Sequence, residues 1–192
     1  MTAPPERLWR VFPWDPAAPD GERYTATYVP SGEGKGRFDL PRMPGAVIYC
    51  SESPEHAVGE MIQHYRGQVV DDADLRMAGH ALALVDVRLA AEVRNRVLDL
   101  CDPEMLVRLG VRPDETASTD RKTTQAITSR VHGAGYAGLR WWSALTGDWH
   151  TVVLFRDRLN PAPAYGTPQP LTIDHRAVAE AARTLGIRLR AR

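Results

Sequence analysis

Residues 36 to 65 read GRFDLPRMPGAVIYCSESPEHAVGEMIQHY, and three polar side chains, Arg37, Tyr49 and Glu60, stand there where apolar residues would be easier to bury. The segment AVIYCS has the length and composition of a short buried strand. SPEHAVGEMIQHY after it starts as a helix should, with Ser53 suited to the N-cap, Pro54 to the first helical position and Glu55 to the first turn. Ala57, Val58, Met61, Ile62 and Tyr65 recur at helical spacing and define the expected buried stripe, which puts Glu60 in the stripe or at its edge. A carboxylate there is costly without partners, so Glu60 is a candidate for a site or an ion pair. Arg37 beside Gly36 would ordinarily be a solvated surface group, and Tyr49 a core-edge tyrosine with its hydroxyl bonded.

Working outward, RLWRVF at residues 7 to 12 reads as a strand with Leu8, Arg10 and Phe12 on one face. Arg10 then sits among apolar neighbours, as a snorkelling edge residue or a ligand-binding one. Residues 13 to 35 show neither strand nor helix period and are expected to form a long irregular loop. HALALVDVRL is apolar on both alternating faces, RVLDL is a further short strand, and DPEMLVRLG repeats the helix-start signal before stopping at Gly110. Residues 111 to 119 are expected to be a polar loop, and a helix is expected from about Asp120 to His132. The strands YAGLRWW and HTVVLF follow, then a proline-rich bridge from Pro161 to Pro170. DHRAVAEAARTLG closes the chain as an amphipathic helix over about 174 to 186. Short strands mixed with helices, without regular βαβ alternation, indicate an α+β fold.

With 192 residues the chain fits one domain by the rough rule of about 150 residues per domain. The expected organisation is a single domain over 1–192, with a core at about 7–156 and a C-terminal extension. Its 24 basic and 24 acidic side chains balance, so no global field favours nucleic acid or an anionic membrane. No apolar run approaches the roughly 20 residues of a membrane span, and the start MTAPPERLWR lacks the apolar core of a signal peptide, so the expectation is a cytosolic protein. Cys50 and Cys101 lack CxxC spacing and are expected to be small buried side chains. The six histidines are scattered through separate elements, so no metal site is expected. GxGxxG, GxxxxGK[ST], HExxH and GxSxG are all absent. Ser143, in LRWWSAL, would by itself be a turn residue at the end of a strand.

The order of the pieces is more specific than any one of them. LWRVF, a loop, GRF, AVIYCSESPEHAVGEM, VLDLCDPEMLVRLGV, TTQAI and GLRWWSAL, over about residues 7 to 156, resemble the RES domain, named for conserved arginine, glutamate and serine. The family pattern of Gly-Arg-aromatic, a strand ending in tyrosine, a helix carrying glutamate and a late PSA-like serine falls on Arg37, Tyr49, Glu60 and Ser143. Two positions depart from it. Phe38 and Asp39 replace the usual tryptophan and asparagine, and Trp142 replaces the proline before the serine.

The resemblance implies an ADP-ribosyltransferase-like fold of short mixed sheets with flanking helices. It also implies a toxin of a bacterial toxin–antitoxin pair, neutralised by a small Xre-like antitoxin and depleting NAD by cleaving its nicotinamide–ribose bond. NAD is then a substrate and no cofactor is needed, with water or inorganic phosphate as acceptor. In that chemistry Glu60 opposes the positive charge that builds on the ribose. Arg37, beside Gly36, and Arg10 supply planar donors for the pyrophosphate or ribose. Tyr49 stacks on or closes over nicotinamide, Ser143 bonds the amide or ribose or fixes Glu60, and Gln125 lines the pocket. Transfer of ADP-ribose to a protein, and a non-catalytic module that binds a nucleotide or a partner, remain alternatives, and the sequence leaves a homo-oligomer open.

Overall fold

The computed structural model describes residues 3–30, 34–41, 43 and 45–190. In chain order these form β1 (Arg7–Trp14), β2 (Val47–Ser51), α1 (Pro54–Ile62), β3 (Val69–Val70), β4 (Arg76–Met77), β5 (His80–Arg88), α2 (Ala91–Arg94) and β6 (Val97–Asp99). They continue with α3 (Pro103–Leu109), α4 (Pro113–Ala117), α5 (Arg121–Gly133), β7 (Gly138–Trp142), β8 (His150–Phe155), β9 (Ala164–Tyr165), β10 (Gln169–Pro170), α6 (Arg176–Leu185) and β11 (Arg188–Leu189). The class is α+β, as expected. No helix among the described residues is long and apolar enough to cross a membrane. The chain groups into two compact units.

One unit comprises Met1–Glu6, Val29–Cys50 and Leu89–Pro163. Its sheet runs β2-β8-β7-β6 and is mixed, since β6 and β7 pair in parallel and β7 and β8 antiparallel. Gly138 is required where β7 meets β8, because a Cβ there would strike the Val153 carbonyl oxygen. The core of this unit joins Phe38, Leu98, Leu100, Ile127, Leu139 and Phe155. The helix starts expected at residues 102 and 120 are both realised. Asp102 caps α3 by accepting the Glu104 N–H at 2.9 Å, and Asp120 caps α5 by accepting the N–H groups of Lys122 and Thr123. Gly110 ends α3 with φ of 61°.

The other unit comprises Arg7–Tyr28, Ser51–Arg88 and Ala164–Arg192. β1 and β5 pair antiparallel from Arg7 opposite Arg88 to Trp14 opposite Ala81. β4, β9 and β10 pair with β5, and β3 and β11 form a separate parallel pair. Helices α1 and α6 pack on each other, and α1 packs on β1. The inward face of α6 is Ala177, Val178, Ala181, Ala182 and Leu185, the helical stripe seen in the sequence. Val58 and Ile62 of α1 are buried, each stabilising the fold by roughly 1.5–3 kcal/mol.

Four local expectations are corrected. Residues 111 to 119 hold helix α4, started by Pro113 and by the Arg112 N–H donating to Glu115 Oε2 at 2.8 Å. The proline-rich bridge contributes β9 and β10, which β5 recruits as edge partners. The strand at residue 7 runs on through Pro13 to Trp14. On α1, His56 and Gly59 lie on the inward face and Met61 is only half-buried, and Tyr65 is half-buried as well because the chain tightens into a 3-10 turn after Ile62.

Candidate active site

Gly36 to Asp39 form a tight turn closed by side chains. Asp39 Oδ2 accepts the Gly36 N–H at 2.9 Å. The Tyr49 hydroxyl, from β2, accepts the Phe38 N–H at 3.0 Å and donates to Asp39 Oδ1 at 2.9 Å. Burial first, and then the Asp39 carboxylate, push the Tyr49 phenol well above the ordinary tyrosine value. A Cβ on Gly36 would collide with both the Tyr49 hydroxyl and the Asp39 carboxylate, so this position must be glycine for the turn to close. Phe38 is fully buried and its ring packs on Trp141 with centroids 4.0 Å apart.

The turn holds Arg37 between two helices. Arg37 Nη2 donates to the Thr116 carbonyl of α4 at 2.8 Å, and the Thr124 hydroxyl of α5 donates to the Arg37 carbonyl. Arg37 Nε is buried with no hydrogen-bond partner among the described residues. An unsatisfied buried donor costs about 1–3 kcal/mol. Gln125 Nε2, also on α5, donates to the carbonyls of Gly34 and Gly36, each at 3.0 Å. Beside the turn lies a pocket of about 180 Å³, lined among others by Val29, Pro30, Gly36, Asp39, Met43 and Tyr49. Drug-sized sites run from roughly 300 Å³ upward, so this one suits a single ring.

Ser143 is buried just past the end of β7. Its N–H donates to the Trp149 carbonyl at 2.7 Å and its Oγ accepts the Leu145 N–H at 3.1 Å. Those bonds shape the turn that leads to β8.

In the other unit, α1 carries Glu60. Ser53 Oγ caps this helix by accepting the His56 N–H at 3.3 Å. His56 is 0% exposed, and its Nε2 lies 3.0 Å from Glu60 Oε1, one helical turn on. Gln63 Nε2 donates to Glu60 Oε2 at 3.1 Å. Both carboxylate oxygens are therefore held, yet the Glu60 side chain remains 39% exposed. Such a carboxylate is oriented but open to a solute. The fork of Arg10 on β1 donates to two loop carbonyls, Nη1 to Ala26 and Nη2 to Tyr28, each at 2.7 Å.

Of the residues singled out in the sequence, Gly36, Arg37, Tyr49 and Gln125 are thus joined by the hydrogen bonds of one turn. Glu60 and Arg10 lie on elements that pack together, α1 on β1. Asp39, His56, Thr116 and Thr124 were not singled out. Asp39 had a local signal, a carboxylate three residues after a glycine, which is a turn pattern. His56 had one as well, since it precedes Glu60 by four on the same helix. Thr116 carried none, and Thr124 stood only within the TTQAI piece, with nothing to tie it to Arg37. Among the described residues, no set of three or more His, Cys, Asp or Glu side chains converges as metal ligands would.

The chain resembles known proteins at two levels. A solved structure with a similar fold is the crystal structure of the M. tuberculosis MbcT–MbcA toxin–antitoxin complex, at a TM-score of 0.57 and 20% identity over 94% of this chain and 89% of that one. No curated protein matches. The model of the RES domain family matches residues 7–174, nearly the whole chain and including the turn, the strand and the helix described above. The chain belongs to the RES domain family.

Proposed function

We propose that this protein is the toxin of a toxin–antitoxin pair and destroys NAD by cleaving its nicotinamide–ribose bond. The C1′–N bond breaks with its electron pair passing to nicotinamide, which leaves neutral, and an oxygen of water or inorganic phosphate bonds to C1′. The products are nicotinamide with either ADP-ribose and a proton or ADP-ribose 1″-phosphate. Positive charge builds on the ribose as the bond stretches, and a fixed carboxylate beside it lowers the barrier. The observation that carries this proposal is the Glu60 carboxylate, gripped at its two oxygens by His56 and Gln63 yet open to solution.

Membership of the RES family supports the substrate, and the toxin–antitoxin neighbour supports the biological role. Arg37 is the anion-binding candidate, since its guanidinium carries an unsatisfied donor and is held against Thr116. Tyr49 and Asp39 build the turn that presents it, and Gln125 braces that turn. Arg10 and Ser143 are proposed to complete recognition of ribose and phosphate. The expected partner is a small Xre-like antitoxin.

Purified protein with NAD, with and without inorganic phosphate, tests the proposal. Nicotinamide should be released from the parent, and Glu60→Gln should reduce that release by at least about 100-fold, the order expected on losing an electrostatic stabiliser. Free ADP-ribose identifies hydrolysis, and a phosphate-dependent product identifies phosphorolysis. Unchanged NAD under both conditions, or a Glu60→Gln variant as active as the parent, would overturn it.

A further inference from the structure

We propose that His56 is a positioning residue for the Glu60 carboxylate, an inference that rests on the NAD-cleavage proposal above. A histidine on the inward face of a helix is easily taken for core, but this one is placed for a second task. Its ring is fully buried and its Nε2 reaches Glu60 Oε1 at 3.0 Å across one turn of α1. The neighbouring Val58 and Ile62 are buried with it, so the imidazole cannot swing aside without opening the core. Glu60 has a long side chain that is partly in water, and such a chain would otherwise sample several rotamers.

An ionised carboxylate is an acceptor only, so the bond requires a proton on His56 Nε2. That donor fixes Oε1, Gln63 Nε2 fixes Oε2, and the plane of the carboxylate is set from both sides. Of the two, Gln63 sits where the helix gives way to a 3-10 turn and its amide bond to Glu60 is exposed, so the rigid anchor is His56. The residue acts through Glu60 and touches no substrate.

Four variants test this. In His56→Leu, an apolar side chain that suits the core but lacks the donor, kcat for nicotinamide release should fall on the order of 10- to 100-fold with KM little changed, the effect of a misplaced group. His56→Gln, whose amide lies close to where Nε2 was, should recover most of it, whereas His56→Asn, one methylene shorter, should not. Combined with Glu60→Gln, His56→Leu should lower the remaining rate no further, since a partner that acts only through Glu60 has nothing left to act on. A folded His56→Leu at the parent kcat, or an additional loss in the double variant, would overturn the inference. If His56→Leu shows no cooperative unfolding transition, equal kcat in the Gln and Asn variants would overturn it instead.

Failure of the NAD proposal is seen separately, as a parent protein that releases no nicotinamide. The geometry then has its own readout, the imidazole N–H proton resonance of His56. It should exchange slowly in the parent and shift in Glu60→Gln, and a resonance indifferent to that substitution would count against the bond.

Discussion

Tyr49 donates its hydroxyl proton to Asp39 Oδ1 at 2.9 Å, and the Tyr49 hydroxyl oxygen accepts the Phe38 N–H, so strand β2 and the Arg37 turn form one hydrogen-bonded piece. The conformation of Arg37 therefore depends on a phenol twelve residues away. Tyr49→Phe leaves the Phe38 N–H and one Asp39 oxygen without that partner and should cost about 1–3 kcal/mol in urea unfolding. An unfolding midpoint equal to the parent's would show that the turn holds itself.

The same bond gives a pH dependence with a definite sign. Burial and the Asp39 carboxylate raise the Tyr49 pKa in the folded protein above its unfolded value. The contribution is then complete below the ordinary tyrosine value of about 10 and is lost as pH rises past it toward the folded value. Between about pH 8 and about pH 11 the parent should lose more stability than Tyr49→Phe, because the variant lacks the group that must ionise. Parallel losses in the two proteins would remove Tyr49 as the cause.

Much of this was legible in the sequence where the signal is local. Ser53 and Pro54 placed the start of α1, Asp102 and Gly110 bounded α3, and Asp120 opened α5, because capping is decided within four residues. Helix α4 was missed because its N-cap is Arg112, which offers no side-chain acceptor, although Pro113 and Glu115 were in place. β9 and β10 are two residues long and exist only because β5 offers an edge, which no local pattern records. Of the site, the residue types at 37, 49 and 60 could be singled out as awkward. What makes them awkward together, the Asp39 clasp and the buried imidazole at 56, depends on which polar group meets which, and composition does not reveal that.

Gly36 offers a steric test of the clasp. Gly36→Ala places a methyl against the Tyr49 hydroxyl and the Asp39 carboxylate, both of which are already committed to bonds that close the turn. Overpacking of this kind costs about 1–3 kcal/mol, and the displaced turn should carry Arg37 with it. Lower thermal stability together with weaker NAD turnover is expected. A variant with the parent's melting temperature would show that the turn relaxes freely.

Asp99 and Arg140 form an ion pair across the parallel strands β6 and β7, at 3.0 Å with side chains only 4% and 11% exposed. Asp99 Oδ1 also accepts the Cys101 N–H at 3.0 Å, so the carboxylate serves the chain reversal after β6 as well. Removing one partner breaks a nearly buried ion pair, so Asp99→Ala should destabilise by about 3–5 kcal/mol. Replacing both residues by apolar ones should cost less than Asp99→Ala alone. A double replacement more damaging than the single one would show that the pair is held for more than mutual neutralisation.

Arg10 is the sharpest case of a residue with two readings, since the fork proposed for substrate recognition is also spent on the loop after β1. Its Nη1 and Nη2 donate to the carbonyls of Ala26 and Tyr28, a geometry that needs two nitrogens on one rigid plane. Lysine carries its three donors on a single nitrogen and does not reproduce that two-nitrogen fork. In Arg10→Lys, the amides of Thr25 and Tyr28, which donate to the Glu22 and Thr25 carbonyls within the same loop, should lose protection in hydrogen exchange. The strands β1 and β5 should keep theirs, because their ladder does not involve the guanidinium. Unchanged protection at residues 25 and 28 together with weaker NAD turnover would leave substrate recognition as the task of Arg10. Lost protection with unchanged turnover would make it a pin for the loop alone.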